Sequence, residues 1–382
     1  MNFFRQSGCA RAMRLRRARL WGSLAALALV SGYYHALSTL HDVEVGTVGG
    51  GVDGDARDRQ LDELEVPRTT SSASVPTSSS SSAAASAVIL NTGAAMPTLG
   101  FGTAGLGDAT RDAVRAALRV GYRLLDTSGA TEWYREDLVG DALAAEIAAS
   151  EGGLEREDVF VTSKLHPRHF AMEDARVQVE KTLRSLRVEY VDLFLLHYPR
   201  CWGDLCGDLG AGGEPRGTWR DAWRVLETMR AEGKIRALGV SNFDARELSE
   251  LRDHAVDAPS VVQRRCDVFV ADRDVREVVR RFGWTYQAYS SLGTQHRLGL
   301  DGASRMNPVL SAKPVVDAAE AYGVSPADVA LRWALQSTPP QAVIPRSSNE
   351  GRIRSNFENV ARFELSASEM ATIDALDGTA TT

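Results

Sequence analysis

The sequence predicts an α/β fold whose ordered part is a closed (β/α)8 barrel entered through an N-terminal β-hairpin. Three observations predict it. Eight strand–helix units succeed one another in about 290 residues, the count and length a single barrel needs. Seven of the eight strands run directly into polar side chains, where a barrel keeps its chemistry. A basic, then Ser-rich segment stands apart before them.

Composition sets the frame. Of 382 residues, 44% are apolar and 25% charged, the balance of a folded chain, and the net charge of −6 argues against a nucleic-acid partner. Four cysteines are too few for a disulfide scaffold. Only Lys164, Lys181, Lys234 and Lys313 are lysines among 44 basic residues, so each is a candidate for chemistry that arginine cannot do.

Residues 1–40 form the first unit. Arg5, Arg11, Arg14, Arg16, Arg17 and Arg19 precede residues 20–40, a run without Asp, Glu, Lys or Arg. As a helix that run reaches across a bilayer core, and the positive-inside bias leaves the N-terminus in the cytosol. The expectation is a single-pass signal anchor with membrane association through residues 20–40; a cleaved signal peptide, organelle targeting and a cytoplasmic chain are the alternatives. Residues 41–86 are the second unit. Their Ser/Thr/Ala-rich stretch cannot bury enough apolar surface to offset its ordering entropy, and it reads as a disordered stem.

The barrel unit occupies residues 87–382. Residues 88–90 and 98–99 are expected to pair as the hairpin, with the first barrel strand at 99–102. Short apolar runs at 122–126, 159–164, 191–197, 235–241, 260–263, 285–289 and 342–344 supply the other seven strands. Helical periodicity separates them at 174–186, 218–231, 272–281 and 308–321, and Ser325 with Pro326 and Asp328 opens a further helix. Gly100-Phe101-Gly102-Thr103-Ala104-Gly105 matches G-x-G-x-x-G, so a Rossmann dinucleotide site is the competing reading. Trp219 and Trp223, four apart on a helix, are expected in the core.

The strand ends carry the candidate chemistry. Asp126, Lys164 and His197 close three successive strands, and Tyr134 lies in the loop that follows Asp126. A lysine held by an aspartate stays charged and favours the ionised form of a nearby phenol. Such a tyrosine can pass a proton to a carbonyl oxygen as hydride reaches the carbon. Trp133 competes with Tyr134 for the position but cannot transfer the proton. His166-Pro167-Arg168-His169 reads as a solvated loop, with a place near the substrate as the alternative. Cys201 and Cys206 are either bridged or two free thiols, and a zinc site with His197 lacks a fourth ligand.

Four motifs follow in order: Gly121-Tyr122-Arg123-Leu124-Leu125-Asp126-Thr127, Val191-Asp192-Leu193-Phe194-Leu195-Leu196-His197, Gly233-Lys234-Ile235-Arg236-Ala237-Leu238-Gly239-Val240-Ser241-Asn242-Phe243, and Ile344-Pro345-Arg346-Ser347-Ser348-Asn349 with Arg352 and Asn356. Together they resemble the aldo-keto reductase family. The resemblance covers residues 88–378 and implies a TIM barrel that reduces an aldehyde or ketone to an alcohol with NADPH. It implies a catalytic tetrad of Asp126, Tyr134, Lys164 and His197. It places Ser241, Asn242 and Gln263 on the nicotinamide carboxamide, Tyr289 under its ring, and Ser290 and Leu292 near the pyrophosphate. Arg346, Ser347, Arg352 and Asn356 would hold the adenosine 2′-phosphate, and two guanidinium groups there favour NADPH over NADH.

The chain departs from the pattern in three places. Extra residues separate Asp126 from Tyr134. Val262 stands where an Asn is frequent, with Arg264 and Arg265 where an acid is common. The short tail after the last helix implies an open substrate pocket. The expected partner is a small carbonyl substrate, with no metal. A non-catalytic NADPH-binding barrel acting as a redox sensor or regulatory subunit is the alternative, against which an intact tetrad argues.

Overall fold

A computed structural model describes residues 86–150, 153–201, 205–206, 216–297, 307–337 and 341–379. The predicted anchor at 20–40 and stem at 41–86 lie outside them, apart from Ser86. Among the described residues no helix is long and apolar enough to cross a membrane.

Two short antiparallel strands, β1 (Ala87–Ile89) and β2 (Ala95–Pro97), form the hairpin. Eight parallel strands follow: β3 (Phe101–Gly102), β4 (Leu124–Asp126), β5 (Phe160–Leu165), β6 (Val191–Leu196), β7 (Ile235–Ser241), β8 (Val261–Arg265), β9 (Thr285–Tyr289) and β10 (Gln341–Val343). Each pairs with the next in sequence. The ring closes between last and first: Val343 N donates to Thr98 O at 2.7 Å and Gly100 N to Val343 O at 2.8 Å.

The expected hairpin register needs correcting. Gly93, at φ 83°, turns the chain so early that Ala95 already faces Ile89. Thr98 therefore meets Ser86, donating from N to its carbonyl at 2.8 Å, while the Thr98 carbonyl and Leu99 pair with Val343 and begin the barrel wall. The helix expected over 308–321 is two helices, Pro308–Ser311 and Lys313–Tyr322. Pro314 has no N–H to continue the first, and the chain turns extended at Ala312, ψ 126°.

The Rossmann reading is set aside by the ring and by what its glycines do. A Cβ on Gly100 would sit 2.5 Å from the Leu124 side chain, and one on Gly102 would sit 2.8 Å from the Ile344 carbonyl oxygen. Both glycines therefore serve close approach inside the barrel wall.

Alternation along the strands sorts two cores. Leu193 and Leu195 point inward with Leu124, Phe160, Ala237, Val261 and Ala342. Leu90 and Met96 of the hairpin pack into that same layer and stopper the barrel at its floor. Phe194 and Leu196 point outward to the helices, beside Trp219 and Trp223, which are core residues as expected. Apolar filling and plug occupy the lower barrel, so polar strand ends collect at the opposite rim.

Candidate active site

Parallel pairing brings β4, β5 and β6 side by side, with Asp126 opposite Thr162 and Lys164 opposite Leu195. Lys164 Nζ lies 2.6 Å from Asp126 Oδ1 and donates to the Thr127 carbonyl at 2.8 Å. Both side chains are buried. Burial pulls the Lys164 ammonium below the usual lysine range, opposed by the adjacent Asp126 charge. The second Asp126 oxygen accepts from Gln263 Nε2 at 2.7 Å, and the same amide donates to Gln287 Oε1 at 2.7 Å.

Tyr134 is buried in the loop before the helix Glu136–Ala149. Lys164 Nζ stands 4.9 Å from its ring centre, and the His197 ring lies edge-on at 5.9 Å. Trp133 packs against His197 as well, and against His166 and Tyr198. Among the expected residues, then, Asp126, Tyr134, Lys164 and His197 are brought together, and Trp133 forms an adjoining wall.

His197 Nδ1 is 3.2 Å from Ser128 Oγ. Burial, reinforced by Lys164 and His166, pushes the imidazole pKa well below the ordinary value, so the ring is neutral at physiological pH. Ser128 was not among the expected residues, although it lies two positions after Asp126. His166 was read as part of a solvated loop and is instead 2% exposed. It follows the last residue of β5 directly, so its side chain turns into the rim. Glu136 was also unforeseen. It accepts from Ser163 Oγ at 2.5 Å and Thr182 Oγ1 at 3.0 Å, and burial raises its carboxyl to about 7.

The residues expected around a nucleotide fall in two groups. At the ends of β7 and β9, Tyr289 donates to Asn242 Oδ1 at 2.7 Å, and Asn242 Nδ2 donates to the His197 carbonyl at 2.9 Å and to Ser241 Oγ at 3.1 Å. Asn242 and Ser290 hold positive φ, 64° and 57°, a cost that non-glycine residues bear at functional turns. The Leu292 carbonyl accepts from Asn307 Nδ2 at 2.7 Å, which pins the loop after β9. Gln287 Nε2 and Ser291 Oγ are buried on this strand and loop without partners.

The second group surrounds the N-terminus of the helix Glu350–Glu358. Asn349 caps it by accepting from Arg352 N, and Arg352 Nε approaches Ser347 Oγ at 3.4 Å. Arg346 sits beside Gly105, and Asn356 is buried one turn along. A helix N-terminus with two guanidinium groups suits an anion. The dinucleotide's two ends thus have matching chemistry: amides and hydroxyls at one group, positive charge at the other.

Cys201 and Cys206, beyond His197, are joined as a disulfide with Cα atoms 5.6 Å apart, which settles the pairing against two free thiols. No group of side chains suited to a metal ion occurs among the described residues.

Comparisons with known proteins agree on one kinship. The aldo/keto reductase family model matches residues 98–378. The chain is 36% identical over 298 residues to aldo-keto reductase family 1 member A1 of Sus scrofa, spanning 76% of this chain and 89% of that one. Among solved structures, it is similar to the aldose reductase from Schistosoma japonicum, at 30% identity and a TM-score of 0.66 over 76% of this chain and 92% of that one. A Bombyx mori aldo-keto reductase in complex with NADP is 26% identical, with a TM-score of 0.68 over 77% and 94% of the two chains.

Proposed function

The chain belongs to the aldo/keto reductase family, and from that premise we propose that it reduces an aldehyde or ketone to an alcohol with NADPH. The observation that carries this reading is the buried set of Tyr134, Lys164, Asp126 and His197 at one end of the barrel. Complexation of the Bombyx mori relative with NADP supports the choice of cofactor.

Ser241, Asn242 and Gln263 would hold the nicotinamide amide, Tyr289 its ring, Ser290 and Leu292 the pyrophosphate, and Arg346, Ser347, Arg352 and Asn356 the 2′-phosphate. The bound nicotinamide supplies the hydride that the carbonyl carbon accepts. Tyr134 gives its hydroxyl proton to the carbonyl oxygen, which completes the alcohol, and regains a proton from solvent. Lys164 stabilises the negative charge that develops on the phenol oxygen as that proton leaves. Asp126 holds Lys164 in place. His197, neutral and backed by Ser128 at Nδ1, offers Nε2–H to the same carbonyl oxygen and orients it.

The test is NADPH oxidation by the full chain with small aldehydes and ketones, alongside Tyr134→Phe. Loss of a positioned general acid lowers turnover by about 10²–10⁴-fold. Undiminished turnover in the variant would place the proton donor elsewhere.

For location, the composition of residues 20–40 carries the proposal of a single-pass signal anchor. Retention of the chain in carbonate-washed membranes is the expected result. Recovery of the full-length chain in the soluble fraction would discard it.

A further inference from the structure

Gln287 stands in the middle of β9 and is fully buried. Its neighbours Tyr286 and Ala288 belong to the layer under the helices, so alternation turns Gln287 into the barrel. In register it lies between Gln263 of β8 and Ala342 of β10. Ala342 has no polar side chain to offer. Gln287 meets Gln263 instead, and its Oε1 accepts from Gln263 Nε2 at 2.7 Å.

Asp126 decides which end of each amide faces which. It is the carboxylate paired with Lys164 and can only accept, so the Gln263 group 2.7 Å from its Oδ2 is the NH2. That NH2 has a second hydrogen, and Gln287 turns its oxygen towards it. Gln287 Nε2 is then left buried with no hydrogen-bond partner among the described residues. An unpaired buried donor is destabilising, and an apolar side chain of the same length would avoid it. What Gln287 supplies in return is orientation. With both hydrogens of Gln263 Nε2 engaged, Gln263 Oε1 is held on the side of Ser241, whose Oγ approaches it at 3.5 Å.

We propose that Gln287 is a positioning residue that locks the Gln263 amide, so that its NH2 stays on Asp126 and its oxygen is presented as an acceptor to the carboxamide NH2 of the cofactor. The proposal rests on the NADPH-dependent reading, in which Gln263 holds that carboxamide. Without the Gln287 oxygen, the Gln263 amide keeps a single bond to Asp126 and can swing about it. Its oxygen is then no longer fixed on the cofactor side.

The experiment measures calorimetric binding of NADP+ and of its acetylpyridine analogue, in which a methyl ketone replaces the carboxamide and no N–H remains. The full chain is compared with Gln287→Met and Gln287→Glu, with melting midpoints for all three. The ratio of Kd values, analogue over NADP+, is expected to fall about fivefold in the Met variant, the effect of one neutral hydrogen bond. It should largely recover in the Glu variant, which keeps an acceptor oxygen at the same reach. A merely structural role would lower the melting midpoint and weaken both nucleotides alike, leaving the ratio where it was. A ratio that is the same in all three proteins overturns the proposal. So does a ratio that falls equally in both variants, because the acceptor would then not be what matters. Failure of the cofactor reading has a different signature: the unsubstituted chain binds neither nucleotide, and the proposal falls with it.

Discussion

Gln263 donates from Nε2 to Asp126 Oδ2 at 2.7 Å, so a residue expected at the cofactor also holds the carboxylate that pairs with Lys164. The two halves of the site share one hydrogen-bond chain that runs from Gln287 through Gln263 and Asp126 to Lys164. Loss of Gln263 should therefore reach beyond the cofactor.

In Gln263→Leu, turnover at saturating NADPH is expected to drop by about tenfold, beyond any weakening of cofactor binding, because Asp126 loses one of its two side-chain donors. Ser241→Ala should weaken cofactor binding and leave saturated turnover near its starting value. Steady-state kinetics with NADPH varied separates the two effects. Identical behaviour of both variants would detach Gln263 from Asp126 in function.

Lys164→Met leaves Asp126 buried without its counter-charge. The expected cost is about 3–5 kcal/mol of stability, with turnover lost as well. The double variant Asp126→Asn, Lys164→Met removes the stranded charge and should regain most of that stability without regaining turnover. Urea unfolding of the single and double variants checks this; equal destabilisation in both would mean that the charge is not what matters.

Glu136 gives stability an unusual pH dependence. Burial raises its carboxyl from the ordinary 4.5 to about 7, so between those values the folded chain binds a proton that the unfolded chain has released. The Glu136 contribution is thus whole below about pH 4.5 and is lost as pH rises through about 7, up to roughly 3 kcal/mol. Glu136→Gln cannot ionise. It should unfold at a similar urea concentration to the unsubstituted chain at pH 5 and at a higher one at pH 8. A gap that is the same at both pH values would show that Glu136 does not titrate in this range.

Arg352 tests the anion end. Removing one charge-assisted contact is worth about 1.5–3 kcal/mol, which is roughly ten- to a hundredfold in affinity. Arg352→Ala should lose that factor for NADPH and little for NADH, measured by quenching of protein fluorescence. Equal loss for both nucleotides would move the 2′-phosphate away from this helix.

Much of this was legible along the chain. Lys164 stands near the end of one buried strand and His197 directly after another, and both runs are rich in apolar residues. Alternation of apolar residues likewise foretells the layers, since Leu193 and Leu195 face inward while Phe194 faces out. His166 was not legible, because a histidine before a proline in a polar tetrapeptide has the composition of a surface turn. Trp133, 33 positions away in sequence, lies 6.0 Å from its ring and reaches it only through the fold of another loop.

The sequence by itself determined the strand–helix alternation, the strand-end chemistry and the family, since each depends on residue types at short range. Tertiary structure decided the rest. Whether Tyr134 or Trp133 faces Lys164 depends on how one loop crosses the rim, and the Lys164 ammonium lies 4.9 Å from the tyrosine ring. That Gln263 bonds Asp126 across 137 positions follows from the closure of eight strands, which turns residues far apart in the chain into neighbours on one ring. Periodicity carries no information about that distance, because it reports which face a side chain takes and not what stands across from it.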